Sequence, residues 1–226
     1  MEIKAIVQKY LDDTKSDEFH RYKSWNRCYQ SFSETTKDER HILELAFYLA
    51  SWGMYRGSSG LLQKNHLIHK GAVDILFSNM GQKLKCNRQN EVNRSKIAEI
   101  ITLKENLSNH YRIIKYKKGR EEEKQISPTD TLISKILLGT LCCVPAYDVN
   151  FITGLKENGI KKAAFTSQSL DALFDFINKN SIAIKEAQEL ISQSTGQHYP
   201  VMKIVDIYFW QIGNDKISKE KPQEKA

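Results

Sequence analysis

Thr36-Lys37-Asp38-Glu39-Arg40-His41-Ile42-Leu43-Glu44-Leu45-Ala46-Phe47-Tyr48-Leu49-Ala50-Ser51-Trp52-Gly53 reads as the start and body of one amphipathic helix. Thr36 followed three residues later by Glu39 has the form of a capping box, in which two side chains satisfy free N–H groups at a helix start. Ile42, Leu45, Ala46, Leu49 and Trp52 then recur at three- and four-residue spacing, which places them on one face. Gly57 is a natural residue to end such a helix, because glycine reaches the left-handed conformation without strain.

The same pattern extends outward in both directions. Residues 2–13 carry Ile3, Ile6, Val7, Tyr10 and Leu11 on one side. Ser16 or Asp17 can cap a second helix reaching Phe32, with Phe19, Tyr22, Trp25, Tyr29 and Phe32 at core spacing. Downstream, Ser58 or Ser59 can cap a short helical piece, and 66–80 and 90–116 read as helices. Ile113-Ile114-Lys115-Tyr116 can instead form a short strand, and 117–127 is a charged loop. Ser127-Pro128-Thr129 restarts a helix with Leu132, Ile133, Ile136, Leu137 and Leu138, ended by Gly139. Further helices follow from Ala146 or Tyr147 to Asn158, from a Ser167 or Ser169 cap through Ile177, over 181–194, and over 201–212 with Gly213 as stop. Residues 214–226 are rich in Lys and Glu without apolar anchors, and read as a disordered tail. The expectation is an all-α protein: a compact multi-helix bundle of about eight to ten helices, one domain over 1–213 with a possible subdivision at 117–127.

Composition agrees. The 226 residues are 40% hydrophobic, with only 4 prolines and 11 glycines, which disfavours a turn-rich β fold. No apolar run approaches the roughly 20 residues that span a bilayer. The start, Met1-Glu2-Ile3-Lys4, lacks the pattern of a secretory leader, so a cytoplasmic location is expected. Cys28, Cys86, Cys142 and Cys143 show no zinc-like or C-x-x-C spacing and read as free thiols. His66 and His69 have metal-compatible spacing, but no third ligand is marked, so neither a metal nor a cofactor is expected.

The net charge of +7 is unevenly placed. Residues 83–120 hold eleven basic and three acidic side chains, a local +8, whereas the remainder holds 23 basic and 24 acidic ones, or −1. Lys83, Lys85, Arg88, Arg94, Lys96, Arg112, Lys115, Lys117 and Lys118 are therefore candidate contacts to a polyanion, DNA or RNA.

The signatures of phosphate-binding loops, dinucleotide folds, zinc proteases and serine hydrolases are absent. The R-x-x-x-x-H pattern of helical ribonucleases of the HEPN type is absent too. Two junctions remain. Arg56 with Ser58 and Ser59, at a helix–helix corner, offers a guanidinium and hydroxyls to an anion such as phosphate. Val144-Pro145-Ala146-Tyr147-Asp148 places Asp148 in the first turn of a helix, where it can cap that helix or act as a general base. Asp206 lies in an apolar helix and needs a partner, for which Arg56 is a candidate. Asp148 and Asp206 are the candidate acid–base residues.

Lys135-Ile136-Leu137, followed by Val144-Pro145-Ala146-Tyr147-Asp148 and Phe151, resembles a stretch of the helix-hairpin-helix DNA glycosylase superfamily, which is all-α and basic. The resemblance covers 132–155 only. The Gly-rich hairpin of that family is not recognisable, so no catalytic residue transfers.

Three readings follow. The first is a nucleic-acid-associated helical protein acting through 83–120. The second is an enzyme that works on a nucleotide or nucleic acid through an acid–base carboxylate. The third is a non-enzymatic interaction protein, with a protein partner, in a bacterial defence or regulatory system.

Overall fold

The computed structural model describes residues 2–119 and 122–220. Among them are eleven α-helices: α1 Ile3–Ser16, α2 Lys23–Ser31, α3 Glu39–Ser51, α4 Lys70–Leu76, α5 Asn79–Leu84, α6 Ile97–Arg112, α7 Asp130–Thr140, α8 Val149–Glu157, α9 Ser167–Lys179, α10 Ser181–Thr195 and α11 Val201–Glu220. A two-residue antiparallel pair, β1 Lys115–Tyr116 and β2 Lys124–Gln125, forms in the charged 117–127 region, with Lys115 opposite Gln125 and Tyr116 opposite Lys124. The all-α expectation therefore holds, and the strand alternative at 115–116 is the one adopted. No helix among the described residues is long and apolar enough to cross a membrane.

The opening helix is capped two residues later than its sequence suggests. Asp38 is the N-cap and His41 takes the reciprocal position, its ring also touching the Ser31 carbonyl at 3.0 Å. A buried imidazole with a carboxylate on one nitrogen and a carbonyl on the other fixes this corner better than Thr36 and Glu39 could. The helix ends at Trp52, because Gly53 (φ 69°) turns the chain left-handed, so the stop comes before Gly57. The second helix also starts late. Asp17 accepts from the Phe19 N–H at 2.8 Å, which stabilises a turn instead of a cap, and α2 begins only at Lys23.

One core runs through the helices. α7 is buried on every side from Leu132 to Thr140, and the Trp25 indole donates to its Leu138 carbonyl at 2.9 Å. All four cysteines are buried free thiols. α8 and α11 lie against each other at glycine contacts: a Cβ on Gly154 would run into the Phe209 carbonyl, and one on Gly213 into the Asn150 carbonyl. This close approach explains why Gly213 does not end α11. The helix continues to Glu220, so 214–220 are not a disordered tail. Asp215 in that extension pairs with Lys9 at 3.3 Å, tying it to α1. Residues 221–226 of the expected tail lie outside the described residues.

Candidate functional site

The geometry brings the chain's buried charges to one place. α7 and the first half of α11, Val201 to Trp210, are largely apolar, yet each carries one lysine inward: Lys135 is 5% exposed and Lys203 is 3% exposed. A buried ammonium is costly unless a carboxylate and hydrogen bonds meet it. Asp148 meets Lys135 at 3.2 Å, and Asp206, itself 6% exposed, meets Lys203 at 3.0 Å. The partner of Asp206 is thus Lys203, one turn away on the same helix, and not Arg56.

The loop between α7 and α8 explains why both aspartates stand here. Residues 141–147 are buried, with Cys142 in a left-handed conformation (φ 54°), so their backbone donors need acceptors from side chains. Asp206 accepts from the Ala146 N–H at 3.0 Å, and Ser134 accepts from the Tyr147 N–H at 2.8 Å. Asp148 is the α8 N-cap: one oxygen accepts from the Phe151 N–H at 3.1 Å while the other faces Lys135. The helix therefore begins at Val149, not at Ala146 or Tyr147.

Aromatic rings close the cluster. The Lys135 ammonium lies 5.1 Å from the Trp52 ring centre, and the Lys203 ammonium 4.9 Å from that of Trp25. Tyr10 and Tyr22 stack at 4.7 Å, and Tyr22 lies near-parallel to Trp52 at 5.8 Å. Trp210 meets Trp52 edge-on at 6.2 Å. The exposed Arg21 lays its guanidinium 4.8 Å from the Trp52 ring and 5.7 Å from that of Trp210, and it makes no ion pair among the described residues. The Trp52 indole N–H is buried with no partner. The space left between Trp52, Lys135, Asp148, Asp206 and Trp210 is about 10 Å³, room for one water at most.

Electrostatics follow from burial. Desolvation pushes the Asp206 carboxyl above its usual range, against the pull of Lys203, and desolvation holds the Lys135 ammonium below its own, against the pull of Asp148. Both shifts disfavour the charged forms, as burial of the two ion pairs requires.

The expected anion corner lies next door. Arg56, Ser58 and Ser59 line a cleft of about 110 Å³ with Tyr116, Ser127 and Thr129. Lys135 and Leu132, on successive turns of α7, line the cluster and this cleft respectively. The Ser59 hydroxyl closes its own loop, donating to the Met54 carbonyl at 2.6 Å, and the helix expected after it is a four-residue 3-10 turn, Gly60–Gln63. The structure thus gathers Asp148 and Asp206 into one site and places Arg56, Ser58 and Ser59 beside it.

The basic segment disperses. Arg94 pairs with Asp171 at 3.1 Å and with Asp175; Lys96 pairs with Glu99 at 3.0 Å, Lys104 with Asp130 at 2.8 Å and Lys115 with Glu123 at 3.0 Å. Lys85 reaches the Phe32 carbonyl, Arg88 the Ser192 hydroxyl at 3.4 Å and Arg112 the Asn109 amide oxygen at 2.6 Å. Lys83, Lys117 and Lys118 are exposed and make no ion pair among the described residues. Four of these cations meet carboxylates, three of them (Arg94, Lys104 and Lys115) with acids from outside the segment, and Lys83, Lys85, Arg88, Arg112, Lys117 and Lys118 make no ion pair among the described residues.

The two histidines are also accounted for. His69 is buried between the Tyr55 hydroxyl at 2.7 Å and the Tyr111 hydroxyl at 2.6 Å, and burial lowers its pKa to about 3. His66 turns instead to Glu39 at 3.2 Å. Among the described residues, no three His, Cys, Asp or Glu side chains gather as a metal site.

Lys135, Lys203, Arg21 and Trp210 were not singled out as site residues from the sequence. The usable signal was a lone lysine inside Leu132–Leu138 and another inside Val201–Val205, each in a run too apolar to leave it solvated. The chain matches no protein-family model, and comparison with curated proteins and with solved structures finds no similar one.

Proposed function

We propose that the protein binds single-stranded nucleic acid through the face formed by Phe19, Arg21, Trp52 and Trp210, over the buried lysine–aspartate cluster, and not along 83–120. The observation that carries this reading is the Arg21 guanidinium, laid over two tryptophans without a carboxylate of its own. Proteins that hold single strands combine ring faces for the bases with cations for the backbone, and this face offers both. Phe19, two residues before Arg21 in the chain, is 88% exposed. A base entering here displaces Arg21 from the indoles and frees its guanidinium for a phosphate.

The test is a titration of single-stranded DNA and RNA oligonucleotides followed by tryptophan emission, with Trp52→Phe and Trp210→Phe assigning the signal. Quenching that weakens steeply with salt is expected. Unchanged emission and no retained oligonucleotide at low salt sink the proposal.

A second reading, an enzyme on nucleotides or nucleic acid, is favoured by the two carboxylates Asp148 and Asp206 gathered with Lys135 and Lys203 beneath the same face. It predicts a labelled oligonucleotide converted by the native protein and untouched by Asp148→Asn. If native protein and variant leave the same products as buffer, this reading goes.

A further inference from the structure

We infer that the Arg56 cleft is a phosphate subsite, which takes the backbone of the same strand whose base lies over the tryptophan-capped cluster. This inference rests on the nucleic-acid reading above and adds a second position to it. Arg56 is exposed and makes no ion pair among the described residues, so its five donors are open to an anion. Exposed Ser58 and Ser127 stand on the rim of its cleft. Thr129 accepts from the Leu132 N–H at 3.2 Å and keeps its own hydroxyl proton to donate.

The walls set the size and sign of the occupant. Gly60 sits against the Tyr116 ring and Ile126, so closely that any Cβ would collide with them. The floor is therefore apolar, and the donors line the rim of a space of about 110 Å³, room enough for a phosphate group. The neighbouring hairpin carries Lys115 and Lys117, the first of them paired with Glu123. Among the described residues, no aspartate or glutamate lines the cleft.

The two positions are neighbours. Trp52 and Arg56 are four residues apart around the Gly53 turn, and Lys135 and Leu132, which line the two spaces, are separated by about 4.5 Å of rise along α7. On this inference a strand stacked at Trp52 continues to Arg56, and a mononucleoside stacked there does not.

Calorimetry with three probes tests this on native protein, Arg56→Ala and Arg56→Lys: a single-stranded tetranucleotide, an unphosphorylated nucleoside and inorganic pyrophosphate. Arg56→Ala is expected to weaken the tetranucleotide about fivefold, the worth of one exposed charged contact. It should also reduce the slope of log K against log salt by about 0.7, leave the nucleoside unaffected and abolish pyrophosphate binding. Arg56→Lys should restore the salt slope. If native protein and Arg56→Ala bind the tetranucleotide with equal affinity and equal slope, the subsite is overturned while the nucleic-acid reading stands. If pyrophosphate binds through Arg56 but no oligonucleotide binds, the anion subsite stands and the nucleic-acid reading falls. If nothing binds, both fall.

Discussion

The segment 83–120 and the lysine–aspartate cluster are both charged, but they are built in opposite ways. In the segment, eleven cations lie within 38 residues, and the fold answers Arg94, Lys96, Lys104 and Lys115 with carboxylates, most of them from outside it. These pairs are largely exposed, and each contributes little. In the cluster, two lysines from distant helices each stand alone in an apolar run, and both are buried. Their desolvation is expensive, so each must be matched by an acid. Charge density along a chain is therefore a poor guide to charge density on its surface. A few buried charges mark a place better than many solvated ones.

Substitutions can break this contrast, and the largest effect belongs to the cluster. Asp206→Ala leaves the Lys203 ammonium buried without a partner and the Ala146 N–H without an acceptor. It should cost about 3–5 kcal/mol of stability in chemical denaturation. The double change Lys203→Met with Asp206→Leu should recover the part due to the unpaired ammonium, leaving the cost of the orphaned Ala146 N–H. A double variant as unstable as the single one would mean that the pair is not the unit.

The next effect comes from a half-buried acid inside the basic segment, Glu91. Glu91 accepts from the Val201 N–H at 3.0 Å and from Gln188 at 3.3 Å, and burial raises its pKa to about 7. A carboxyl whose folded pKa lies above its unfolded one favours the folded state fully at low pH. That contribution fades as pH rises from about 4.5 through 7. Glu91→Gln, which keeps an acceptor for Val201, should therefore match the native protein at pH values below that window and exceed it above. The gain should be on the order of 2 kcal/mol, read as melting temperature against pH. Parallel curves for the two proteins would contradict the assignment.

The smallest effect is on the surface. Arg94→Ala removes both of its exposed pairs and should shift stability by less than about 1 kcal/mol. A larger loss would place Arg94 among the structural charges and blur the contrast.

The helical fold was legible because caps and apolar spacing act locally: Ile42, Leu45 and Leu49 face the core as their spacing requires. Boundaries failed where tertiary contacts decide. Nothing local reveals that Asp38 and His41 outcompete Thr36, or that Gly213 serves a close helix crossing. The site was half legible. Asp148 and Asp206 could be marked as carboxylates in need of partners, but their lysines and the Arg21 cover depend on which helices meet. The ion pairs of Arg94 and Lys104 were not legible, because their acidic partners Asp130, Asp171 and Asp175 lie far along the chain.

The most direct measurement sets the two regions against each other in one binding assay. Affinity for a single-stranded oligonucleotide is compared between Arg21→Ala with Trp210→Ala, and a variant with Lys83, Arg88, Lys117 and Lys118 all changed to Ala. Losing one stacked base and one cation should weaken binding at least about tenfold, whereas removing the four scattered cations should weaken it less and mainly at low salt. The reverse order, with the quadruple variant crippled and the Arg21–Trp210 variant binding normally, would contradict the account.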